Sequence, residues 1–299
     1  MARRIAPLTN TLDNVTRSNR LWWERHPMDY VGHRQPPDFS DDGAARAFFA
    51  RSDGELRRAA WFAQPPAAPL FSALIDFAAL RGQRALEIGC GLGAISAELA
   101  RRGARVTALD LTSTGTTAVR RRFALDRSCG SAVQGDAMHL PFADATFDFV
   151  WSWGVLLHVG DLSAALAEIR RVLKPGGELR LMVYNRHSIY NWLGIVGRYG
   201  VLRLQLLQHS VPELWRRYSD GRHVGGCPFV RYYSATELRE QLRDFEVLET
   251  RSFEQKTMLT KFVPGPLRPL VEPHIPDALM RALFQKWGML LFCRARKPG

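Results

Sequence analysis

Three closely spaced glycines follow a short apolar run, and a carboxylate ends the next such run along the chain. Gly89, Gly91 and Gly93 come directly after Leu86-Glu87-Ile88, and Asp110 closes the run that begins at Val106. Glycine has no Cβ, so the backbone of this turn can approach a ligand closely. A carboxylate at the tip of the second strand can accept both hydroxyls of a ribose. The pattern therefore predicts a nucleoside ligand.

The glycine turn alone also fits the dinucleotide pattern G-x-G-x-x-G/A, so further features must decide between ligands. Glu87 lies two residues before the first glycine, where its carboxylate can meet an ammonium group. Asp136 and Ala137 close a third strand, where an adenine edge could be recognised. The segment 171–177 then leads through Pro175 into a further strand. These features favour a nucleoside that also carries an amino group.

With these four motifs in this order, the chain resembles the class I S-adenosylmethionine-dependent methyltransferases over residues 84–184. The run 147–154 resembles the fourth-strand motif of their small-molecule, type 11-like branch, which includes quinone, sterol and natural-product methyltransferases. The resemblance implies an α/β fold with a doubly wound, mostly parallel seven-stranded sheet. It implies S-adenosyl-L-methionine as the cofactor, and a last strand antiparallel to its neighbours.

The resemblance also implies roles for residues. It assigns Glu87 and the glycines to the methionine half of the cofactor, Asp110 to the ribose, and Asp136 with Ala137 to the adenine. The expected cofactor site comprises Glu87, Gly89, Cys90, Gly91, Gly93, Asp110, Leu111, Asp136, Ala137, Trp151 and Ser152. Structural alternatives stay open: a plain turn for the glycines, a helix cap for Asp110, and a packed core position for Trp151.

Methyl transfer needs alignment of a nucleophile and exclusion of water, and it needs a general base only when the nucleophile arrives protonated. His158 lies just past the fourth strand and His187 just past the fifth, so both are candidate catalytic residues. Related sequences carry a second histidine before the equivalent of His158, where this chain has Leu157. A histidine in a polar network or helix cap is the alternative for His158.

Acceptor-binding candidates surround these positions. Tyr30 is a candidate lid residue beside the tryptophan pair 22–23, whose two rings diverge on a helix, so that one can meet the cleft while the other packs. The other expected substrate-binding residues are Trp153, Tyr184, Arg186 and Tyr232. The donor-rich run 184–188 could bind a carboxylate, a phosphate or a hydroxylated substrate, or could anchor the segment that follows it.

The elements that must position these residues alternate between strand and helix, which is typical of a parallel sheet with helices on both faces. Ligands of such sheets bind outside the carboxyl ends of the strands, where all these motifs fall. Apolar runs predict strands over 85–88, 106–109, 131–134, 147–151, 178–184, 246–250 and 289–294. Helices are predicted over 53–62, 69–80, 94–102, 116–124, 163–173 and 235–242, the last starting from a capping box at Ser234.

This alternation divides the chain into four parts. Residues 1–83 are predicted to form an N-terminal helical lid, 84–184 the cofactor-binding core, 185–233 a cap insertion, and 234–299 the rest of the sheet with a second insertion at 253–286. Within the cap, 189–207 is apolar, and Trp192, Ile195, Val196, Tyr199 and Leu202 share one α-helical face. The segment is interpreted as a cap helix packed on the core, or as an interfacial helix with peripheral membrane contact.

The composition limits the classes of binding partner that we expect for this chain. The net charge of +12 invites a nucleic-acid interpretation, but the basic residues are mostly arginines, and the longest run, 120–122, is expected to be a solvated helix face. The fourth strand also lacks the Asn/Asp-Pro-Pro-aromatic motif of base methylation, so no nucleic-acid partner is expected. Four scattered cysteines predict free thiols in a cytoplasmic protein without a metal site. We expect no transmembrane helix and no signal peptide. A homodimer is compatible with the chain.

The sequence thus predicts a cytoplasmic methyltransferase that acts on an O or N atom of a small-molecule or lipid-like acceptor. A methyltransferase for protein or RNA is the alternative within the same class. Two alternatives from other classes of protein are a non-catalytic partner protein that binds the cofactor and a nicotinamide-dependent oxidoreductase. The absence of a Tyr-x-x-x-Lys pair argues against the oxidoreductase.

Overall fold

One β-sheet organises the protein. The computed structural model describes residues 12–28, 39, 41–256, 263, 265–271 and 274–299. The strand order is β3-β2-β1-β4-β5-β8-β7, and a two-residue strand, β6, pairs with the end of β5. The strands are β1 Arg84–Ile88, β2 Arg105–Asp110, β3 Gly130–Gln134, β4 Phe147–Trp153, β5 Leu173–Asn185, β6 Tyr232–Tyr233, β7 Glu246–Phe253 and β8 Leu290–Arg296. The predicted seven-stranded path is confirmed, with β6 as an addition.

The direction of the strands also matches the prediction. Strands β1 to β5 run parallel to one another, whereas β8 is antiparallel to both β5 and β7. The carboxyl ends of β1, β2, β3 and β4 therefore lie along one edge of the sheet.

Helices cover both faces of the sheet. The α-helices are α1 Leu12–Arg25, α2 Asp42–Ala59, α3 Ala94–Arg101, α4 Ser113–Asp126, α5 Leu162–Val172, α6 Val211–Tyr218, α7 Ala235–Gln241, α8 Arg268–Val271 and α9 Asp277–Trp287. Side-chain caps fix several starts: Thr112 caps α4, Asp161 caps α5, and Ser234 with Glu237 forms the predicted capping box of α7. No helix among the described residues is both long and apolar enough to cross a bilayer.

The N-terminal helices differ from the predicted ones. Helix α2 begins at Asp42 and ends at Ala59, so it covers only the first part of the predicted helix 53–62. A 3₁₀ turn, Trp61–Ala63, follows it. The predicted helix over 69–80 is wrong: these residues form successive turns. Phe71 has a φ of 60°, in the left-handed region, which a continuing α-helix cannot contain.

The cap insertion also departs from its predicted geometry. Tyr190–Val201 is a π-helix, in which Leu202 N donates to Gly197 O at 2.9 Å, five residues earlier. The wider turn changes which residues share a face. Ile195, Val196 and Tyr199 are buried as predicted, but Trp192 and Leu202, placed on the same face by α-helical spacing, are exposed.

The arginine run 120–122 is only partly a solvated face. Arg122 is buried: it forms a two-pronged pair with Asp53 of α2 at 2.6 and 2.8 Å and donates to the carbonyl of Leu92 in the glycine turn. Its guanidinium also lies 4.1 Å from the ring of Phe49. Arg122 therefore ties α2 and α4 to the loop that follows β1, which corrects the expectation for this residue.

Candidate functional site

The glycine turn after β1 leaves open space beside its backbone. Gly89 and Gly91 have φ of 71° and 50°, which L side chains rarely adopt. A Cβ at Gly91 would meet nothing within 4 Å, whereas one at Gly89 would lie 2.1 Å from Cγ2 of Val155. The turn therefore packs against the loop after β4 at its first glycine and is open at its second.

Asp110 closes this turn from the end of β2. Its Oδ2 accepts from Gly91 N at 2.8 Å, and its Oδ1 accepts from the backbone N and the hydroxyl of Thr112 at 2.9 and 2.6 Å. Burial raises the pKa of Asp110, and these hydrogen bonds counter that effect. A Cβ on Gly115 would fall 2.6 Å from the Asp110 carboxyl carbon, so the helix start of α4 also confines the carboxylate.

Glu87 lies on β1, just before the turn, and is buried. Ser96 of α3 donates a short hydrogen bond to its Oε2. Burial raises the pKa of Glu87 to about 8, with the Asp110 carboxylate adding to the rise. The neighbouring Cys90 thiol is buried as well, and burial raises its pKa. At neutral pH such a carboxyl is mostly protonated, and a cation beside it favours the charged form.

The end of β3 supplies the predicted adenine-facing residues. Asp136 Oδ1 accepts from Met138 N at 2.9 Å, and its Oδ2 receives a 3.4 Å hydrogen bond from Thr16 of α1. Ala137 is buried in the core beneath it. Leu111, after β2, presents its carbonyl to Gln134 Nε2 at 3.1 Å, which joins the ends of β2 and β3.

The aromatic residues of β4 occupy the core. Trp151 is fully buried, stacked on Trp153 at 5.5 Å and edge-on to Phe71 at 5.3 Å. The structure thus places the Trp151 side chain in the core, and its contact with the cofactor stays a prediction. Trp153 is half-buried and also packs on Phe62. Ser152 is buried, and its Oγ has no hydrogen-bond partner among the described residues.

His158 lies in a 3₁₀ turn, Leu156–His158, after β4, and it is buried. Its Nδ1 is 2.6 Å from the carbonyl oxygen of Phe229, and its Nε2 is 3.5 Å from Oδ2 of Asp220. Burial lowers the pKa of His158, and Asp220 and the Phe229 carbonyl oppose that effect. Asp220, which the sequence analysis did not single out, comes from the cap insertion.

The residues after β5 separate into two groups. Tyr184 donates its hydroxyl to Asp220 Oδ1 at 2.9 Å and so joins the His158 cluster. His187 is exposed and lies outside that buried cluster. Arg186 pairs with Glu237 of α7 at 2.9 Å and donates to the carbonyl of Tyr232 at 3.2 Å, which anchors the cap.

Tyr232 is likewise part of the cap's packing. Its ring is fully buried, stacked on Trp215 at 4.8 Å and tilted against Tyr184 at 5.3 Å. Tyr30, the candidate lid residue, lies outside the described residues. That the acceptor binds to Tyr30, Trp153, Tyr184, Arg186 and Tyr232 stays a prediction.

Helix α1 contacts the segments that follow three of the parallel strands. Asn19 donates to the carbonyl of His158 at 2.5 Å, and the ring of Trp23 lies edge-on to the His158 ring at 5.0 Å. Glu24 accepts four hydrogen bonds of 2.6 to 2.9 Å from Ser113 and Thr114 at the start of α4. With Thr16 on Asp136, α1 therefore contacts the loops or helix starts that follow β2, β3 and β4.

Sequence reasoning missed Asp220, Glu24 and Asn19. Each acts on a residue far away in the chain, and no local spacing pattern surrounds any of them. The tryptophan pair did carry a signal: Trp23 meets the His158 loop, while Trp22 packs against Gly221 and the core.

The cluster at the strand ends fits an adenosyl ligand that carries an ammonium group. The backbone at Gly91 is open to close approach by a ligand, since a Cβ built there would meet nothing within 4 Å. Asp110 retains acceptor capacity on Oδ2, which receives one close N–H bond. Glu87 is a buried carboxyl that could pair with the ammonium group of the ligand. This donor and acceptor set suits S-adenosyl-L-methionine.

Comparisons with known proteins agree with this geometry. Residues 86–181 match the family model described as "Methyltransferase domain". Demethylmenaquinone methyltransferase of Thermobifida fusca is 46% identical over 103 residues, which are 34% of this chain and 43% of that protein. Ubiquinone biosynthesis O-methyltransferase of Xanthomonas oryzae is 35% identical over 153 residues, 48% of this chain and 64% of that protein. The chain thus spans about half the length of these curated relatives.

A solved structure shares the fold. The S-adenosylmethionine-dependent methyltransferase from Mesorhizobium loti aligns with a TM-score of 0.51 at 18% identity, over 77% of this chain and 98% of that chain. The arrangement of sheet and helices is therefore that of the class I fold.

Proposed function

We propose that this protein, whose residues 86–181 match a methyltransferase-domain model, transfers a methyl group to an O or N atom of a small-molecule or lipid-like acceptor. The observation that carries the proposal is the joint position of Gly91, Asp110 and Glu87 around one open turn. Relatives named for demethylmenaquinone and ubiquinone biosynthesis support an acceptor of this kind.

S-adenosyl-L-methionine supplies an electrophilic methyl group when bound. The chain's own part is to bind, align and exclude water. Asp110 would accept the ribose hydroxyls, Glu87 would pair with the ammonium, and Asp136 with Ala137 would face the adenine. Helix α1 would exclude water, since it contacts all three loop ends. A catalytic role for His158 stays a prediction, since both of its ring nitrogens face protein oxygens.

The acceptor's lipid-like character draws support from the surface of the cap. The segment 192–207 exposes a cluster of apolar side chains: Trp192, Leu193, Val201, Leu202, Leu204 and Leu207. Leu202 and Leu207 are each 80% exposed, and Arg203 lies among them. An apolar surface with adjacent cations suits the interface of an anionic bilayer. We therefore include peripheral membrane contact through this segment in the proposal.

The same proposal places the protein in the cytoplasm. All four cysteines are free, and free thiols persist in a reducing compartment.

Calorimetric titration with S-adenosylmethionine, S-adenosylhomocysteine and NADH tests the cofactor assignment. We expect micromolar binding of the first two and none of the third. Gly91→Arg should abolish that binding by filling the open space, whereas Asp244→Asn, an exposed carboxylate before β7, should leave it unchanged. Binding of NADH alone would overturn the proposal in favour of an oxidoreductase.

A second assay separates an enzyme from a non-catalytic binding partner. Transfer of radiolabelled methyl from S-adenosylmethionine to 4-tert-butylcatechol, a phenolic probe with an apolar tail, is measured with and without anionic vesicles. Transfer to the catechol supports the proposed acceptor class. Label found only in added protein or RNA fractions would favour the alternative substrate class.

A further inference from the structure

Three arginines of the cap insertion surround the ring of Tyr199. The guanidinium carbons of Arg198, Arg203 and Arg222 lie 5.7, 5.2 and 5.2 Å from the centre of that ring. Arg198 lies in the π-helix of the cap, Arg203 follows that helix, and Arg222 begins a 3₁₀ turn after α6. The fold therefore brings three cations from separate parts of the cap together, and we call them the arginine patch.

The tyrosine at the centre of the arginine patch is held in place by its neighbours. The Tyr199 ring is buried and is stacked on Tyr218 of α6 at 3.8 Å. Tyr218 also donates its hydroxyl to Gln205 Oε1 at 2.8 Å, which ties α6 to the 3₁₀ turn Gln205–Leu207. A guanidinium that contacts an aromatic ring keeps its in-plane N–H donors for other partners. The stacked tyrosines therefore orient the arginines without consuming their hydrogen-bond donors.

Carboxylates are scarce around the arginine patch. The segment 189–231 contains six arginines but only two carboxylates, Glu213 and Asp220. Asp220 is buried, and Glu213 belongs to the capping box of α6. Arg203 and Arg222 are exposed, and neither forms a salt bridge within the described part of the chain. Because like charges repel, an anion that binds here would supply the counter-charge that the cap lacks.

Exposed apolar side chains border the arginine patch. Leu202 and Leu204 lie on either side of Arg203 in the sequence, and both are exposed, as is Val224, two residues after Arg222. At a bilayer surface, apolar side chains can enter the acyl region while arginines meet the phosphates. An anion in solution would leave the leucines in water, so the apolar border favours an anion that belongs to a lipid.

We propose that Arg198, Arg203 and Arg222 form a binding site for the phosphate of an anionic lipid headgroup, while the bordering leucines enter the same leaflet. Arginine suits this ligand because its planar fork can donate two parallel hydrogen bonds to phosphate oxygens. The inference deepens the membrane contact proposed above and rests on it, since it names the lipid group that the cap recognises. Such a site would hold the cap on the surface in which a lipid-like acceptor dissolves.

A nucleic acid is the rival partner for arginines that lie beside aromatic rings. Sites for single-stranded nucleic acid offer aromatic faces on which bases stack. The Tyr199 ring offers no such face, because it is buried and already stacked on Tyr218. The exposed neighbours of Arg203 are leucines, which have no ring for a base to stack on. The observations therefore favour a lipid.

Sedimentation of the full chain with phosphatidylglycerol vesicles tests the arginine patch. Arg203→Gln with Arg222→Gln should lower the partition coefficient by about 30-fold, which corresponds to about 1 kcal/mol for each arginine at the surface. Arg81→Gln with Arg105→Gln is the matched control, because it removes the same charge from exposed positions outside the cap. The control should change the coefficient by no more than about twofold, since salt screens charges away from the contact. Equal losses in the two double variants would overturn the inference.

A variant that preserves charge separates a phosphate site from a diffuse positive field. Arg203→Lys with Arg222→Lys keeps the net charge but loses the planar fork and its contact with the ring. We expect its partition coefficient to fall by about fivefold or more, with an unchanged melting temperature as evidence that the variant folds. If this variant binds vesicles as well as the native chain does, net charge alone accounts for the binding and the inference is wrong.

Further probes separate this inference from the proposed function. Calorimetric titration with glycerol 3-phosphate should show no binding at millimolar concentration, and saturable binding without vesicle binding would assign the patch to a soluble anion instead. Binding of poly(U) that both arginine variants lose, again without vesicle binding, would assign it to a nucleic acid. A chain that methylates 4-tert-butylcatechol but binds no vesicle would keep its proposed activity and lose this inference. A chain that shows the arginine-dependent vesicle binding but binds neither S-adenosylmethionine nor S-adenosylhomocysteine would instead refute the proposed activity.

Discussion

The backbone amide of Gly91 donates a 2.8 Å hydrogen bond to the Asp110 carboxylate, which joins the turn after β1 to the end of β2. The bond holds the carboxylate beside the open space at the turn, and Thr112 fixes its other oxygen. The carboxylate that we propose binds the ribose therefore also shapes the glycine turn.

Because of this double role, Asp110→Ala should reduce affinity for S-adenosylhomocysteine by more than the loss of one hydrogen bond. We expect a loss of about 2–3 kcal/mol, since the Gly91 amide also loses its acceptor. Calorimetry measures the affinity, with Asp244→Asn as the control. Equal affinity in Asp110→Ala and the native chain would contradict the assignment.

The raised pKa of Glu87 predicts that a proton is released when the cofactor binds. Its pKa of about 8 means that it is mostly protonated at pH 7 without ligand. An ammonium beside it favours the carboxylate, so the pKa falls and a proton leaves. Titrations at pH 7 in buffers of different ionisation enthalpy should show a net release of up to about one proton per site, and Glu87→Gln should remove most of it.

The same group predicts a pH dependence of stability. A pKa raised above the unfolded value means that the folded chain binds more protons between pH 4.5 and about 8, so Glu87 lowers stability as pH rises through that window. Glu87→Gln should therefore melt at a higher temperature than the native chain at pH 8, and the difference should shrink toward pH 4.5. Thermal denaturation without ligand measures this. A native chain that melts higher than Glu87→Gln at pH 8 would contradict it.

The hydrogen bonds of Glu24 predict that this residue stabilises the docking of α1 on α4. Burial acts to raise its pKa, but the hydrogen bonds from Ser113 and Thr114 hold the pKa below its usual value. Glu24→Ala removes a cap from the start of α4 and should cost about 1–2 kcal/mol locally. Hydrogen exchange should become faster in α1 and in the first turn of α4, with α5 as an internal reference. Unchanged exchange in α1 would show that other contacts hold it.

The exposed leucines of the cap predict salt-sensitive vesicle binding. Sedimentation with phosphatidylglycerol vesicles should recover the native chain at low salt, and Leu202→Ser with Leu207→Ser should reduce recovery several-fold. Leu279→Ser, an exposed leucine of α9, is the control. Equal recovery of both variants, or binding that ignores lipid charge, would refute contact through 192–207.

The sequence predicted the strand ends well because a buried parallel strand is a local signal. The run before Gly89 and the run before Asp110 each fill one strand, and both residues lie where those runs end. The helix predicted over 69–80 is wrong because Phe71 has a left-handed backbone conformation, which apolar spacing does not reveal. The helical face predicted in the cap failed in part because Tyr190–Val201 takes π-helical geometry.

Local pattern by itself determined the α/β class, the order of the motifs and the residues of the glycine turn, because each depends on neighbours within a few positions. Only the tertiary structure decided that Trp151 belongs to the core, that Arg122 is buried, and that Asp220 faces His158. Such contacts join segments distant in the chain. They depend on how whole elements pack, and no periodicity in the sequence records that packing.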